Sequence, residues 1–292
     1  MVWRAVEAAI AEATGAAFAV ARASNVGGGC IHQGAVLQGR DGRRFFIKRN
    51  QAGAAGMFSA ERAGLRALAA ANAIRVPAPV AEGVSESQAW LVLEYLDLSG
   101  RAEAARMGQA LAEMHRCLGQ AYGGHPDNFI GATPQCNADE SDWVTFLRQH
   151  RLRRQLQLAQ ADGAPASLLA LGERLLADLP AFFADGQPAP SLLHGDLWGG
   201  NHAYLPDGTP VIFDPAVYFG DREADLAMTE LFGGFGAAFY SAYQEAWPLD
   251  PGYAVRKHVY NLYHVLNHAH LFGGGYARQA ESMMHRVLAE LR

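Results

Sequence analysis

The chain has 292 residues, half of them hydrophobic and 18% charged, which suffices for one large domain or two lobes with a substantial core. A formal net charge of −5 argues against a nucleic-acid or anionic-membrane partner. No uninterrupted apolar run approaches the length of about eighteen residues that a membrane-spanning helix needs. The three separated cysteines, with no Cys-x-x-Cys pair, indicate a reducing, cytoplasmic location.

The first third of the chain is predicted to be mostly strands. Residues 1–15 predict an amphipathic helix, since Glu7 and Glu12 interrupt the apolar residues. Two strand-like runs, 35–38 and 44–48, flank a glycine-containing turn typical of a hairpin. The alanine- and leucine-rich stretch 57–71 predicts a helix, and the apolar run 89–95 predicts another strand.

After Leu96 the chain becomes mainly helical. The predicted helices are 101–118, 142–160, 165–183, 221–246 and 255–291. Between them, 191–214 combines a short apolar lead-in, a polar loop and a second hairpin. The layout predicts an α+β fold of two lobes, a small β-rich N-lobe over 1–96 and a larger, mainly helical C-lobe over 97–292.

The strongest chemical signal is the loop His194-Gly195-Asp196-Leu197-Trp198-Gly199-Gly200-Asn201, followed by Val211-Ile212-Phe213-Asp214-Pro215. An acid and an amide five residues apart, with a second acid after a strand, suit phosphoryl transfer. Asp196 can accept a hydroxyl proton, while Asn201 and Asp214 offer the hard oxygen ligands that Mg²⁺ prefers. The alternative without a function is a polar loop in which one acid caps a helix and the other lies in a turn. The combined spacing of the two acids and the amide is far more specific than any single motif and argues against that alternative.

These motifs resemble known kinases. The Asp-x4-Asn loop is similar to the catalytic loop of the protein-kinase-like fold. Its His-Gly-Asp sequence is similar to that of aminoglycoside phosphotransferases and choline kinases. The fuller strings resemble the fructosamine kinase (ketosamine-3-kinase) family more closely over about Gly27 to Phe235. They are Leu193 to Asn201, Asp214 to Ala227, Gly28-Gly29-Cys30-Ile31 and Asp127 to Gly131.

The resemblance implies a two-lobed kinase using ATP and Mg²⁺, with Asp196 as catalytic base and Asn201 and Asp214 as metal ligands. Lys48 ends a strand similar to the one that carries the ATP-binding lysine. Its implied glutamate partner is Glu61, the one acidic residue between Lys48 and Val80. Only two of the 24 basic residues are lysines, which favours a specific need for an ammonium group at Lys48 over a surface position.

The resemblance also implies a nucleotide-covering loop and a hinge. Gly28 and Gly29 would cover the phosphates with backbone N–H groups. Cys30 in that loop is either a redox-sensitive residue or an unreactive one, and both readings stay open. Residues Glu94, Tyr95 and Leu96 would offer the backbone to adenine, with the Glu94 side chain more suited to an ordinary salt bridge.

The acceptor side is less sharply defined. Trp198, two residues after Asp196, is predicted to stack on a sugar or a cationic amine, with ordinary packing as the alternative. Asp221 and Glu223 are predicted to contact the amine of the substrate. Asp225 is predicted to brace the catalytic loop through hydrogen bonds.

The sequence therefore predicts an ATP- and Mg²⁺-dependent kinase of a ketosamine, free or protein-bound, that acts in deglycation or sugar-amine catabolism. Two alternatives remain at this stage. One is a kinase of the same fold for an aminoglycoside, choline or an amino alcohol, and the other is a non-catalytic nucleotide-binding regulator. The expected assembly is a monomer or a homodimer, with no nucleic-acid or membrane partner.

Overall fold

The computed structural model describes residues 2–27, 31–85, 87–184 and 186–291. The chain divides into two compact units, one formed by Met1–Glu103 with His202–Pro215 and the other by Ala104–Asn201 with Ala216–Arg292. This division differs from the predicted boundary after residue 96. The first unit runs on to Glu103, and it also includes a later segment that the prediction assigned to the second lobe.

The strands all lie in short or medium-length segments. In chain order they are β1 Val20–Val26, β2 Gln33–Gly39, β3 Arg44–Gln51, β4 Pro79–Val84, β5 Gln88–Glu94, β6 Asn128–Ile130, β7 Thr133–Gln135, β8 Ser191–Leu193, β9 His202–Tyr204, β10 Pro210–Ile212 and β11 Tyr218–Gly220.

The helices are longer and dominate the second unit. In chain order they are α1 Val2–Thr14, α2 Ala55–Ala70, α3 Ala104–His115, α4 Trp143–Phe146, α5 Arg153–Ala161, α6 Ala166–Asp178, α7 Glu223–Leu231, α8 Ala237–Ala246, α9 Tyr253–Phe272 and α10 Tyr276–Ala289. A π-helical segment, Leu147–Leu152, joins α4 to α5, and short 3₁₀ segments cover Ala52–Ala54 and Leu179–Phe183.

The first unit is built on an antiparallel sheet in the order β1-β2-β3-β5-β4. Successive side chains of a strand point to opposite faces of the sheet, and on one face Leu37, Phe45 and Ile47 point into a single core. Val6 and Ile10, one helical turn apart on α1, enter the same core and are fully buried. The predicted hairpin, now β2 and β3, and the helix α2 are present.

The hairpin of β9 and β10 belongs to the first unit because backbone hydrogen bonds hold it there. The Ile212 amide donates to the Arg75 carbonyl at 3.0 Å, and the Gly100 amide donates to the Tyr204 carbonyl at 2.9 Å. A Cβ atom on Gly100 would lie only 1.8 Å from the Leu205 carbonyl oxygen, so this close approach requires glycine. The hairpin thus places Asp214, two residues after β10, in the first unit.

The second unit has a large aliphatic and aromatic core in which Trp143, Phe146 and residues of α9 and α10 are buried. Two predicted long helices are each interrupted. Gly233 and Gly236, with φ of 115° and 86°, separate α7 from α8, and Gly273 and Gly274, with φ of 65° and 66°, separate α9 from α10. Glycine reaches these left-handed angles at low cost, whereas the helical periodicity on both sides obscures the break.

A short antiparallel pair supports the candidate catalytic loop in this unit. Strand β8 pairs with β11, so Leu193 lies opposite Tyr218. Both strands are short, with Leu193 fully buried and Tyr218 nearly so. Residues 194–201 therefore begin at a fixed strand end. Among the described residues, none of the helices is long and apolar enough to span a membrane.

Candidate active site

Lys48 is a buried cation between two carboxylates in the first unit. It follows Ile47 on β3, and because alternate strand residues face opposite sides, Lys48 points away from the core that Ile47 enters. Its Nζ lies 2.6 Å from Glu61 Oε1 on α2 and 2.5 Å from Asp214 Oδ1. Burial alone would lower the pKa of Lys48, but Asp214 and Glu61 together raise it above its ordinary value. The ammonium group is therefore charged at neutral pH.

Asp214 has an unusual backbone. Its φ is 59°, in the left-handed region that aspartate tolerates better than most side chains because it is short and polar. One carboxylate oxygen contacts Lys48, while 44% of the side chain stays accessible to solvent. Asp214 is thus both a partner of the lysine and an accessible oxygen donor.

Asn50 fixes the chain just after the predicted nucleotide-covering loop. It lies two residues after Lys48 on β3, hence on the same face of that strand. Its Nδ2 donates to the Ile31 carbonyl at 3.1 Å and lies 2.9 Å from His32 Nδ1. The His32 ring also packs on Phe58, with centroids 4.7 Å apart. Burial and the nearby Lys48 charge lower the pKa of His32 to about 4, so the ring is neutral at pH 7.

In the second unit, Asp196 and Asn201 form one compact loop. Asn201 Nδ2 donates to the Asp196 carbonyl oxygen at 2.8 Å and to its carboxylate Oδ2 at 3.2 Å. Gly195 precedes them at φ 82°, and a Cβ atom there would lie 2.0 Å from the Ala216 carbonyl oxygen. The turn therefore requires glycine at this position, and the predicted acid and amide are in contact.

Asp225 braces the loop from α7. Its buried carboxylate accepts hydrogen bonds from the backbone amides of His194, at 2.7 Å, and Gly195, at 2.8 Å. Burial would raise the pKa of Asp225, but the His115 side chain and the Gly195 amide, among other groups, bring it below its ordinary value. The bracing role predicted for Asp225 is therefore present as hydrogen bonds to the loop.

Trp198 projects from the same loop with 37% of its surface exposed. Its indole lies over Gly200, where a Cβ atom would come within 2.4 Å of the ring. The missing side chain at Gly200 thus permits this ring orientation. Phe232, at the end of α7, meets the indole edge-on with centroids 6.2 Å apart.

Comparison with known proteins identifies the lineage of this site. A family model described as fructosamine kinase matches residues 2–290. The chain belongs to the fructosamine kinase family. A Synechocystis sp. protein assigned as a ketoamine kinase is 47% identical over 294 residues, covering 98% of this chain and 97% of that protein. The chloroplastic protein-ribulosamine 3-kinase of Arabidopsis thaliana is 39% identical, covering 95% and 86% respectively.

Solved structures show the same relationship. The crystal structure of a Haemophilus somnus protein assigned as a fructosamine-3-kinase has a TM-score of 0.89 and 29% identity, covering 98% of this chain and 97% of that one. An amicoumacin kinase in complex with AMP-PNP and Ca²⁺, at 13% identity and a TM-score of 0.56, shares the fold over 92% of this chain and 88% of that one. The predicted protein-kinase-like fold and the predicted phosphotransferase class are confirmed, and a kinase of this family uses ATP.

Two predicted substrate contacts of this fructosamine kinase family member are corrected by their surroundings. Asp221 and Glu223 are buried, at 5% and 4% exposure. Tyr260 donates its hydroxyl to Asp221 at 2.5 Å, and Arg256 donates two hydrogen bonds to Glu223 at 2.7 and 2.8 Å. Burial raises the pKa of Glu223 to about 7 despite Arg256. Asp221, just before α7, and Glu223, its first residue, tie this end of the helix to α9, and they do not present a carboxylate to an amine.

The predicted hinge has a mixed outcome. The Glu94 side chain pairs with Arg75, the ordinary salt bridge that was expected. The Glu94 amide donates to the Ala78 carbonyl at 2.8 Å, so this N–H already has a partner in the sheet. Tyr95 and Leu96 stay predicted adenine contacts, and Arg44 lies 4.1 Å over the Tyr95 ring. The predictions for Gly28, Gly29 and Cys30 fall outside the described residues.

Sequence reasoning missed Asn50, His32 and Phe232. For Asn50 a signal was available, because it shares a strand face with Lys48. For His32 and Phe232 there was none, since their ring contacts join distant parts of the chain.

Proposed function

We propose that this protein transfers the γ-phosphoryl group of Mg²⁺-ATP to a sugar hydroxyl of a ketosamine such as a fructosamine or ribulosamine. The observation that carries the proposal is the Asp196–Asn201 loop, held by Asp225 in a chain of the fructosamine kinase family. The names of its relatives, ketoamine kinase and protein-ribulosamine 3-kinase, support a ketosamine as the acceptor.

Asp196 acts as the base in this proposal. Phosphoryl transfer demands little covalent help from the protein, and mainly an oriented hydroxyl and stabilisation of phosphate charge. The Asn201 amide fixes the Asp196 carboxylate by donating to Oδ2. Asp196 would accept the proton of the attacking hydroxyl as the oxygen–phosphorus bond forms.

Lys48 and the oxygen ligands handle the nucleotide. Lys48, charged and held by Glu61, would pair with phosphate oxygens as a point charge. The donor chemistry fits Mg²⁺: Asp214 is an accessible carboxylate, and Asn201 uses its amide nitrogen for its bonds to Asp196, which directs the amide oxygen elsewhere. Asn201 and Asp214 would hold Mg²⁺, which neutralises phosphate charge when bound.

The phosphorylated ketosamine would have a labile amine linkage, so the protein would serve deglycation or sugar-amine catabolism. The proposal includes a cytoplasmic location and an acceptor that is either a free ketosamine or one attached to a protein. Its assembly as a monomer or homodimer likewise stays a prediction.

A single acceptor panel tests the proposal. We would measure Mg²⁺-dependent ATP consumption with fructosyl-lysine, ribulosyl-lysine, kanamycin, choline and a blank, for the wild type and Asp196→Asn. Turnover on a ketosamine that the variant loses by about 10²–10⁴-fold, with ATP binding retained, supports both substrate and base. Turnover on kanamycin or choline alone moves the protein to another acceptor class, and ATP binding without turnover favours a regulator.

A further inference from the structure

A strip of aromatic side chains continues outward from the catalytic loop. We define the aromatic strip as Trp198, Phe232, His268, Phe272 and Tyr276, all in the second unit. Neighbouring rings are in contact, with centroids 6.2 Å apart for Trp198 and Phe232 and 5.0 Å apart for Phe232 and His268. The His268 ring in turn contacts both Phe272, at 5.5 Å, and Tyr276, at 5.2 Å. The strip therefore leads from the residue two positions after Asp196 to the end of α9.

Local structure keeps the strip accessible. Helix α7 ends at Leu231, and the left-handed glycines that follow turn the chain away, which leaves Phe232 with 37% of its surface exposed. Trp198 is equally exposed, and Phe272 at the end of α9 is 51% exposed. Large aromatic side chains left in contact with water beside a candidate base favour a binding role over a packing role.

His268 adds one polar atom with a defined role. Its Nδ1 lies 2.8 Å from the His264 carbonyl oxygen. A carbonyl oxygen can only accept, so Nδ1 carries the hydrogen, and in the neutral ring Nε2 is left as an acceptor. The strip thus combines apolar ring faces with a hydrogen-bond acceptor for a hydroxyl group.

This chemistry suits a sugar better than a cation. The C–H face of a sugar is apolar and slightly positive, and it stacks on the negative face of an aromatic ring. A cationic amine would be best served by a carboxylate nearby, but the five members of the strip include none. Asp221 and Glu223, the acids first considered for the amine, are buried elsewhere.

We propose that Phe232 and His268 extend the acceptor site beyond Trp198 and select for the carbohydrate part of the substrate. Phe232 stacks on the sugar, and His268 accepts a hydrogen bond from a sugar hydroxyl at Nε2. This inference rests on the proposed function and adds the residues that would distinguish a ketosamine from choline or another acceptor without a sugar.

The test uses Phe232→Ala and His268→Phe, with His268→Gln as the variant that restores an acceptor atom. Leu118→Ala is the control, since Leu118 is an exposed apolar side chain of the second unit that is not a member of the strip. We expect the KM for the ketosamine to rise about three- to tenfold in the first two variants. The KM for ATP and the thermal midpoint stay near wild type. His268→Gln recovers most of the affinity, and Leu118→Ala changes little.

Two ketosamines that share a sugar but differ in the amine, fructosyl-lysine and fructosyl-glycine, identify which part is contacted. Equal fold-changes for both support contact with the sugar, and an effect confined to fructosyl-lysine overturns the inference in favour of the amine. Unchanged ketosamine KM values in an active enzyme overturn this inference alone. A wild type that phosphorylates only acceptors without a sugar overturns it together with the proposed function.

Discussion

The Gly195 amide nitrogen lies 2.8 Å from the buried carboxylate of Asp225, and this hydrogen bond ties the start of the candidate catalytic loop to helix α7. The other carboxylate oxygen accepts a hydrogen bond from the His194 amide at 2.7 Å. One side chain thereby satisfies two consecutive backbone donors that would otherwise be buried without partners. The orientation of Asp196, the next residue, depends on this arrangement.

Asp225→Asn should impair both catalysis and stability. The new amide group would place an N–H₂ against a backbone N–H, so one buried donor loses its acceptor. We expect the free energy of unfolding to fall by about 1–3 kcal/mol, with kcat reduced at least tenfold. Urea unfolding and steady-state kinetics measure this, with the exposed Asp139→Asn as control. Wild-type rates and stability in Asp225→Asn would refute the bracing role.

Lys48→Met should destabilise the first unit because Glu61 would stay buried without its cation. We expect a loss of about 3 kcal/mol or more and a large rise in the KM for ATP. Adding Glu61→Gln removes the uncompensated charge, so the double variant should regain stability while its ATP affinity stays poor. If the double variant is as unstable as Lys48→Met, the charge explanation is wrong. Denaturant unfolding and ATP titration separate the two effects.

Asn50→Ala should weaken nucleotide binding without affecting the acceptor. The change removes the hydrogen bonds that hold Ile31 and His32 beside Lys48. Loss of these contacts should raise the KM for ATP about threefold or more. The exposed neighbour Gln51→Ala serves as the control. A rise in acceptor KM with unchanged ATP KM would contradict this assignment.

The glycines of the catalytic loop should respond very differently to alanine. Gly195→Ala adds a side chain at φ 82° against the Ala216 carbonyl oxygen, and the backbone strain alone costs about 1–3 kcal/mol. Gly199→Ala meets nothing within 4 Å and should change stability by less than about 0.5 kcal/mol. Gly200→Ala should displace the Trp198 ring and raise the acceptor KM. Thermal midpoints and kinetics of the three variants distinguish these outcomes.

His264 should make the protein sensitive to acid. Burial, followed by the charge of His268, lowers its pKa from 6.5 to about 3. Its folded pKa is depressed, so the stabilisation is complete above pH 6.5 and is lost as the pH falls towards 3, because unfolding then takes up a proton. The slope from this group is at most about 1.4 kcal/mol per pH unit.

Urea unfolding between pH 4 and pH 7 measures that slope. His264→Gln should be less steep than the wild type by about one proton, since the titrating group is gone. The exposed Gln279→Ala, which removes no titrating group, should retain the wild-type slope. An unchanged slope in His264→Gln would show that His264 does not titrate on unfolding.

The sequence predicted those parts of the site that depend on short spacing. The contact between Asp196 and Asn201 follows from their interval of five residues. The pairing of Lys48 with Glu61 was predictable because the helix that carries Glu61 is the next long element after the strand that carries Lys48. Helix interruptions were missed although the glycines were visible, since the apolar periodicity continues on both sides of them.

The roles of Asp221 and Glu223 could not be predicted locally. Whether an acid is exposed depends on what packs against it, and their partners Tyr260 and Arg256 lie 39 and 33 positions further along the chain. The same applies to the ring contact between Trp198 and Phe232. Sequence patterns identify the chemistry of such groups, whereas long-range packing decides whether they are available.

The excursion of residues 202–215 into the first unit has a consequence for inheritance. A fragment ending near residue 96 would carry Lys48 and Glu61 but lack Asp214, the second carboxylate on the same ammonium group. No single cut in the polypeptide separates the two units. A single genetic crossover between relatives therefore cannot exchange one whole unit for another, and each recombinant would combine interwoven segments of both parents.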